Sequence, residues 1–524
     1  AVDKYTMFTL ENMLFYDKTF NDKHTLGVTL LQSIQEDKKE NVNVAMENLP
    51  ADNLKYYDLG SGLVTNTIGS SMIKWNMASF MGRINYNYLG RYLLTVSARY
   101  DGSSRLADGH KWVLFPSAAL AWRINEESFM SSTSGWLDNL KLRLGFGKTG
   151  NSAVDPYQTK GTLSLIRYPF DNGGTPTIGY APNAMANSLL TWETTDQWNL
   201  GIDFGVLRGR INGTIDLYMQ NTHDLLLKRQ LPVVSGFPDV LSNVGKTRNK
   251  GIEVSINSMN INSKDFQWTT DLMLSSNKEE IVELYNGKND DIGSKWFIGQ
   301  PVNVHYDYRK VGIWQNTESD LAEMAKFAAN GTEFAPGDIK IQDVNGDYKI
   351  TDADKQILGN PRPKLIASMV NTFNYKGFDL SVFLYASFGA MLYNDIYALE
   401  HCGRNGGVKV DYWTPNNPTN AYPRPSIDEE RPIYITSTYY EKADFLRVKT
   451  MTLGYTLPKT LTNKFLVEKL RVYFTAQNPF IFTNYTGIDP EAAKVNSAGN
   501  PETNGSGFGT PSVSSWIFGI NLTL

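Results

Sequence analysis

The last eight residues, 517–524, alternate: Phe518, Ile520, Leu522 and Leu524 share one face, while Gly519, Asn521 and Thr523 share the other. A period of two marks a strand with one apolar and one polar face. Such a strand at the end of a chain is the expected ending of an outer-membrane β-barrel. Three earlier hairpins repeat the pattern across very short connections. Residues 80–88 turn at Leu89-Gly90 into 91–100, where Leu94, Val96 and Ala98 oppose Thr95, Ser97 and Arg99. Residues 198–206 turn at Leu207-Arg208-Gly209 into 210–220, with Trp198, Leu200 and Ile202 against Asn199, Gly201 and Asp203. Residues 365–375 turn at Lys376-Gly377 into 378–388, where Phe378, Leu380, Val382 and Leu384 oppose Asp379, Ser381, Phe383 and Tyr385.

These runs are about ten residues long, the length a tilted strand needs to cross a bilayer. Sandwich strands average nearer five or six. Further strands are expected at 5–16, 23–34, 112–124, 138–149, 246–260, 264–277, 440–456, 467–480 and 514–524. The pattern therefore predicts an all-β fold, an antiparallel transmembrane β-barrel of about 15–16 strands. Its connections are lopsided. Turns of a few residues alternate with long polar stretches at 35–73, 150–188, 279–362, 389–438 and 483–513. Short periplasmic turns and long extracellular loops are the habit of outer-membrane barrels, whereas a sandwich or propeller would spread its loop lengths more evenly. One amphipathic helix is expected inside a loop, at 317–329, with Leu321, Met324, Phe327 and Ala328 on one side.

Composition neither adds to this nor contradicts it. The chain is 41% hydrophobic and 20% charged with net charge −4, and no apolar run is long enough for a membrane helix. A barrel escapes that test because only alternate residues meet lipid. An aromatic share of 12% suits girdles at two membrane surfaces, though a large β-sandwich would also carry it. A single cysteine, Cys402, excludes an internal disulfide framework and a Cys-based zinc site, and its neighbour His401 reads as half of an ordinary loop pair. Five scattered histidines form no catalytic or metal motif, and near-neutral charge without basic runs argues against nucleic acid. The chain is read as a non-enzyme. Residues 5–16 are already a strand with no signal peptide before them, so the chain is expected to begin inside a larger protein.

Longer motifs carry a resemblance. RINYNYLGRYLLTVSARYDGSSRL (83–106), WVLFPSAALAWRINEESF (112–129), LLTWETTDQWNLGIDF (189–204), NVGKTRNKGIEVSI (243–256), PGDIKIQDVNGDYKIT (336–351), YWTPNNP (412–418) and LRVYFTAQNPFIFTNYTGIDPE (470–491) follow one another in register. Together they resemble the SusC/RagA class of TonB-dependent transporters over essentially the whole chain. The resemblance implies a barrel of about 22 strands with a plugged lumen. It further implies import of oligosaccharides, or in some members peptides, beneath a SusD-like surface lipoprotein that acts as a lid. Energy would come from TonB–ExbB–ExbD. The chain carries no plug and no TonB box, so the N-terminal plug and first strands are expected from residues outside it. The competing readings are a passive porin and a soluble β-rich carbohydrate-binding protein or hydrolase.

No cofactor is required by this reading, and one loop is an ion candidate. DVNGDYKITDAD (343–354) offers Asp343, Asn345, Asp347 and Asp354 at positions 1, 3, 5 and 12, with the Lys349 carbonyl at position 7. Hard oxygens at this spacing wrap a structural Ca²⁺. Against it, Tyr348 stands where glycine normally makes the sharp turn, and Asp354 is shorter than the usual Glu. The alternative is an Asx-turn-rich loop that folds without metal. For an oligosaccharide, exposed aromatic faces and nearby carboxylates or amides name Tyr412, Trp413 and Asn417, Trp296 and Phe297, and the inward-facing Asp379 and Tyr385. For each, a girdle or loop-packing role is the plainer reading.

Overall fold

The computed structural model describes residues 1–51, 53, 55–168, 170, 177–394, 409–426, 431–491 and 511–524. His401 and Cys402 lie outside the described residues. Fifteen strands form one sheet, each paired antiparallel to the next in chain order. They are β1 (Val2–Phe20), β2 (His24–Glu47), β3 (Val64–Tyr88), β4 (Tyr92–Ser103), β5 (Trp112–Arg123), β6 (Leu137–Asn151), β7 (Glu193–Val206) and β8 (Ile211–His223). The rest are β9 (Lys246–Asn262), β10 (Phe266–Glu283), β11 (Leu365–Tyr375), β12 (Phe378–Phe388), β13 (Phe445–Thr456), β14 (Lys469–Thr483) and β15 (Ser515–Thr523). Every strand expected from the alternation is present. β1 and β15 are the two edges of this sheet.

The alternation is inside out with respect to a water-soluble protein. On β4, Leu94, Val96 and Tyr100 are 40–44% exposed, while Thr95, Ser97 and Arg99 between them are less so. The side chains of the polar face crowd against one another, which lowers their exposure. Polar groups there pair with one another: Thr95 donates to Asn85 at 2.9 Å, the Ser97 and Ser117 hydroxyls meet at 2.7 Å, and Arg99 bonds Asp101 at 2.7 Å. The apolar face carries two aromatic belts. Tyr92 stacks on Trp122 near the short turns, and Tyr100 stacks on Trp112 toward the long loops. Eight steps along β4 separate the belts, roughly 26 Å along the strand at about 3.3 Å per residue, or about 20 Å of height at the tilt of about 40° usual in barrels, close to the apolar band of a bilayer.

The loop asymmetry differs from the expected one in several places: 124–136 and 457–468 on the short-turn rim are longer than turns, 104–111 on the other rim is short, and 224–245 is a further long loop. The stretch 35–73 is mostly strand, and the loop between β2 and β3 is 48–63 only. With 24 and 25 residues, these two strands are far longer than a crossing requires and project beyond it as a ribbon. On β2 the stretch 35–41 is polar on both faces, which masks the period-two signal. The expected helix is present as α1 (Glu318–Ala329), capped by the Thr317 hydroxyl, which accepts from Asp320 N–H at 3.3 Å. It belongs to a module that the loops 284–364 and 389–444 build together. There Ile313, Ile339, Ile341, Trp413, Tyr422, Ile435 and Tyr439 form one buried cluster, and Trp314, Met324 and Phe327 another. Here apolar side chains point inward, as in a soluble domain.

Candidate functional site

The inner face of the sheet is built by one device used repeatedly: a glycine on one strand lets side chains from its two neighbours meet across it. Gly201 on β7 stands between Arg143 on β6 and Asp216 on β8. The Arg143 guanidinium donates to Asp203 at 2.9 Å and Asp216 at 3.1 Å, and a Cβ at Gly201 would sit 2.5 Å from the guanidinium carbon. Gly251 does the same between Tyr218 and Asn277, whose hydroxyl and amide oxygen are 3.1 Å apart. Gly454 lies opposite Asp379, which pairs diagonally with Arg471, Nε to Oδ1 2.9 Å. Glycine in a strand interior is otherwise unfavourable, and here close approach explains it.

Nearer the long-loop rim the inner face carries a charged cluster. Arg447, 4% exposed, donates to Asp489 at 2.5 Å and stands 3.0 Å from Glu491, which also pairs with Lys449. Burial pushes the Asp489 carboxyl up, but N–H donors of Ser512 and Glu491 and the Arg447 charge outweigh it, so it stays below its ordinary value. This cluster ties the stretch after β14 to the wall. Tyr385 lies beside it, its ring 5.9 Å from Phe445 with the Lys449 ammonium 5.4 Å above.

The substrate candidates named from the sequence do not converge. Asp379 adjoins the short turn at 376–377, at the opposite rim from the loop module, and is engaged by Arg471. Tyr385 is on the same face but six residues further up β12. Trp413 is 6% exposed in the module core, its indole N–H donating to Gln315 at 2.9 Å, so it is a packing residue. Gly337, with φ +95°, makes room for it: a Cβ there would lie 2.5 Å from the Trp413 ring. Asn417 closes a turn by donating to Asp411 and to the Tyr412 carbonyl, each at 2.9 Å, and Tyr412 stays exposed beside it. Phe297 is buried against Tyr306 at 4.8 Å, and Trp296 bridges to Asp291.

In the ion candidate the side-chain oxygens are bonded within the loop. Both Asp343 oxygens accept backbone N–H groups, from Gly346 at 2.7 Å and Tyr348 at 2.8 Å. Asn345 accepts from Asp347 N–H, and Asp347 from Lys349 N–H. Asp354 is fully buried, accepting from Val344 and Thr351. Among the described residues no group of three His, Cys, Asp or Glu side chains is gathered as a metal site, and the side-chain oxygens of this loop are bonded to its own N–H groups. Tyr348 does adopt the left-handed turn, φ 58°, that a glycine would take. The loop is an Asx-turn knot that docks Tyr348 against Phe327 of α1.

A meander of bilayer-height strands, lipid-facing outside and paired polar inside, defines an outer-membrane β-barrel. The chain belongs to the TonB dependent receptor-like, β-barrel family, whose pattern matches residues 4–478. It is 32% identical to TonB-dependent receptor P3 of Formosa agariphila over 98% of this chain and 52% of that protein. It is 35% identical to TonB-dependent receptor SusC of Bacteroides thetaiotaomicron over 79% of this chain and 41% of that protein. The fold superposes on a structure of the RagAB peptide transporter with TM-score 0.82 at 23% identity, covering 99% of this chain and 56% of that one. The chain thus spans about half the length of the curated relatives it matches. These relatives are TonB-dependent receptors, and the protein is an outer-membrane protein of the SusC/RagA type.

Proposed function

We propose that this chain is the wall of a TonB-dependent importer that takes up oligosaccharides across the outer membrane beneath a SusD-like lipoprotein lid. One observation carries the reading: a sheet dressed apolar outside and ion-paired inside bears, among the described residues, a folded module with a buried core on its long-loop rim. The lid sits on that rim, over the loops 284–364 and 389–444. Unpaired strand edges in hydrocarbon cost several kcal/mol per polar group, so β1 and β15 require further strands to close the cylinder. Those strands, and a plug through which TonB–ExbB–ExbD pulls, come from residues outside this chain. Peptides are the alternative cargo. The test is uptake of labelled oligosaccharides and labelled peptides by cells carrying the full-length protein, with and without TonB. Oligosaccharide uptake lost without TonB supports the proposal. TonB-independent entry makes the protein a porin, and peptide uptake alone changes the cargo.

A further inference from the structure

On the long-loop side, β4 parts from β3 after Ser103, and the β3 edge above Met77 is left to two loops. Ser104 fastens the first: its N–H donates to the Asn76 carbonyl at 2.9 Å, and its hydroxyl accepts from Asn76 N–H at 2.8 Å. Tyr157 fastens the second, its hydroxyl accepting from Lys74 N–H at 3.1 Å. Between these clasps lies a cleft of about 580 Å³, lined among others by Lys74, Trp75, Lys111, Tyr157 and Lys160. It falls in the size range of small-ligand sites.

Its chemistry is particular. Three lysines line it against one acidic residue, Asp108, in a chain whose net charge is −4. Lys111 pairs with Asp108 at 2.5 Å and Lys74 with Glu36 at 2.9 Å, both near the surface where such pairs are weak and exchangeable. Lys160 makes no salt bridge among the described residues, and its charge acts on the same Asp108 carboxylate. The Arg105 guanidinium, behind the lining, lies 3.9 Å over one face of the Trp75 ring and holds that ring in place. The Tyr157 ring is 45% exposed. Aromatic rings supply apolar faces for sugar C–H groups, and ammonium groups supply three donors each to an anionic oxygen.

We propose that this cleft is a subsite for the acidic groups, carboxylate or sulfate, of an oligosaccharide at the mouth of the barrel. The inference rests on the oligosaccharide reading above and narrows it to anionic glycans. A neutral glycan would bring no anion to add to Asp108 and Glu36, which three ammonium groups share, and an acidic peptide would have less use for the ring faces.

The test uses the full-length transporter with its lid, purified in detergent. Calorimetric titration with tetragalacturonate, a sulfated galactan tetrasaccharide, maltotetraose and sodium sulfate compares the parent with K111Q/K160Q and with K376Q, a change in the opposite rim. The acidic tetrasaccharides are expected to bind the parent, more weakly as salt rises. K111Q/K160Q should weaken them roughly ten-fold or more, the scale of one charge-assisted hydrogen bond, while K376Q leaves them unchanged. Acidic binding equal in parent and K111Q/K160Q overturns the subsite, as does tight binding of maltotetraose alone, which leaves oligosaccharide import standing. Sulfate binding without any glycan binding reduces the cleft to an anion site and overturns the sugar. Failure of every glycan alongside uptake of peptides removes the oligosaccharide reading itself.

Discussion

In the strands, Leu94, Val96 and Leu120 stand 40–49% exposed, whereas in the loop module Ile313, Trp314 and Ile339 are at most 2% exposed. One chain has been folded against two solvents. The wall gains nothing by hiding Leu and Val, because hydrocarbon surrounds it; its order comes from backbone ladders that lipid leaves no alternative to. The module sits in water and needs the hydrophobic effect, so it gathers its aromatic rings inward. Amino-acid types alone do not distinguish the two regions. What differs is where each side chain can be left without penalty.

The sharpest way to break the comparison is Trp314→Ala, which opens a cavity in the module core and should cost about 3–5 kcal/mol there. Limited proteolysis of outer-membrane vesicles should then cut within 284–364, while the barrel keeps its heat-modifiable mobility in gels. Loss of both together would mean wall and module do not fold separately. Next comes Val96→Arg, midway between the aromatic belts, where an arginine facing lipid costs roughly 2–4 kcal/mol. Thr95→Arg, one residue away on the inner face, should cost far less. Equal losses in guanidinium unfolding of the refolded barrel would invert the assignment of faces.

Gly201→Val tests the inner wall at a finer scale. Its side chain would collide with the Arg143 guanidinium, and overpacking of this kind costs about 1–3 kcal/mol. The penalty should shrink in an Arg143→Met background, and an unchanged penalty in that double-mutant cycle would deny the bridge. A smaller, pH-dependent effect belongs to the module alone. His305 is 2% exposed, with one ring nitrogen bonded to the Met391 carbonyl at 2.7 Å and the other without a partner among the described residues. Burial holds its imidazole below the ordinary 6.5. The unfolded chain therefore takes up the proton first on acidification. Module stability from this group is complete above pH 6.5 and is lost as pH falls through the lowered folded value. His305→Phe should flatten that acid limb in a proteolysis midpoint titration. Last, adding Ca²⁺ or a chelator should leave the same midpoint unmoved, since the 343–354 loop satisfies its own carboxylates.

Much of this was legible in the chain because a barrel strand is a local object. The alternation at Leu94 to Arg99 or Phe378 to Ser387 names the face of each residue without knowledge of any partner, and loop lengths name the rims. The ribbon of β2 and β3 hid because both its faces meet water once past the membrane. The sites were another matter. YWTPNNP and DVNGDYKITDAD announce chemistry by residue type, yet Trp413 is buried under Gly337 and Asp343 is spent on its own loop.

The sequence by itself determined the strands, their inward and outward faces, the two rims and the family, since all of these rest on short-range periodicity or on long motifs. Only the tertiary structure decided which polar groups are free. Arg143 and Asp216 are 73 positions apart and Lys74 and Tyr157 are 83; strand register brings the first pair together, and a loop folded back on β3 the second. A side chain's freedom to meet a ligand depends on what its distant neighbours have already taken, and no local pattern records that.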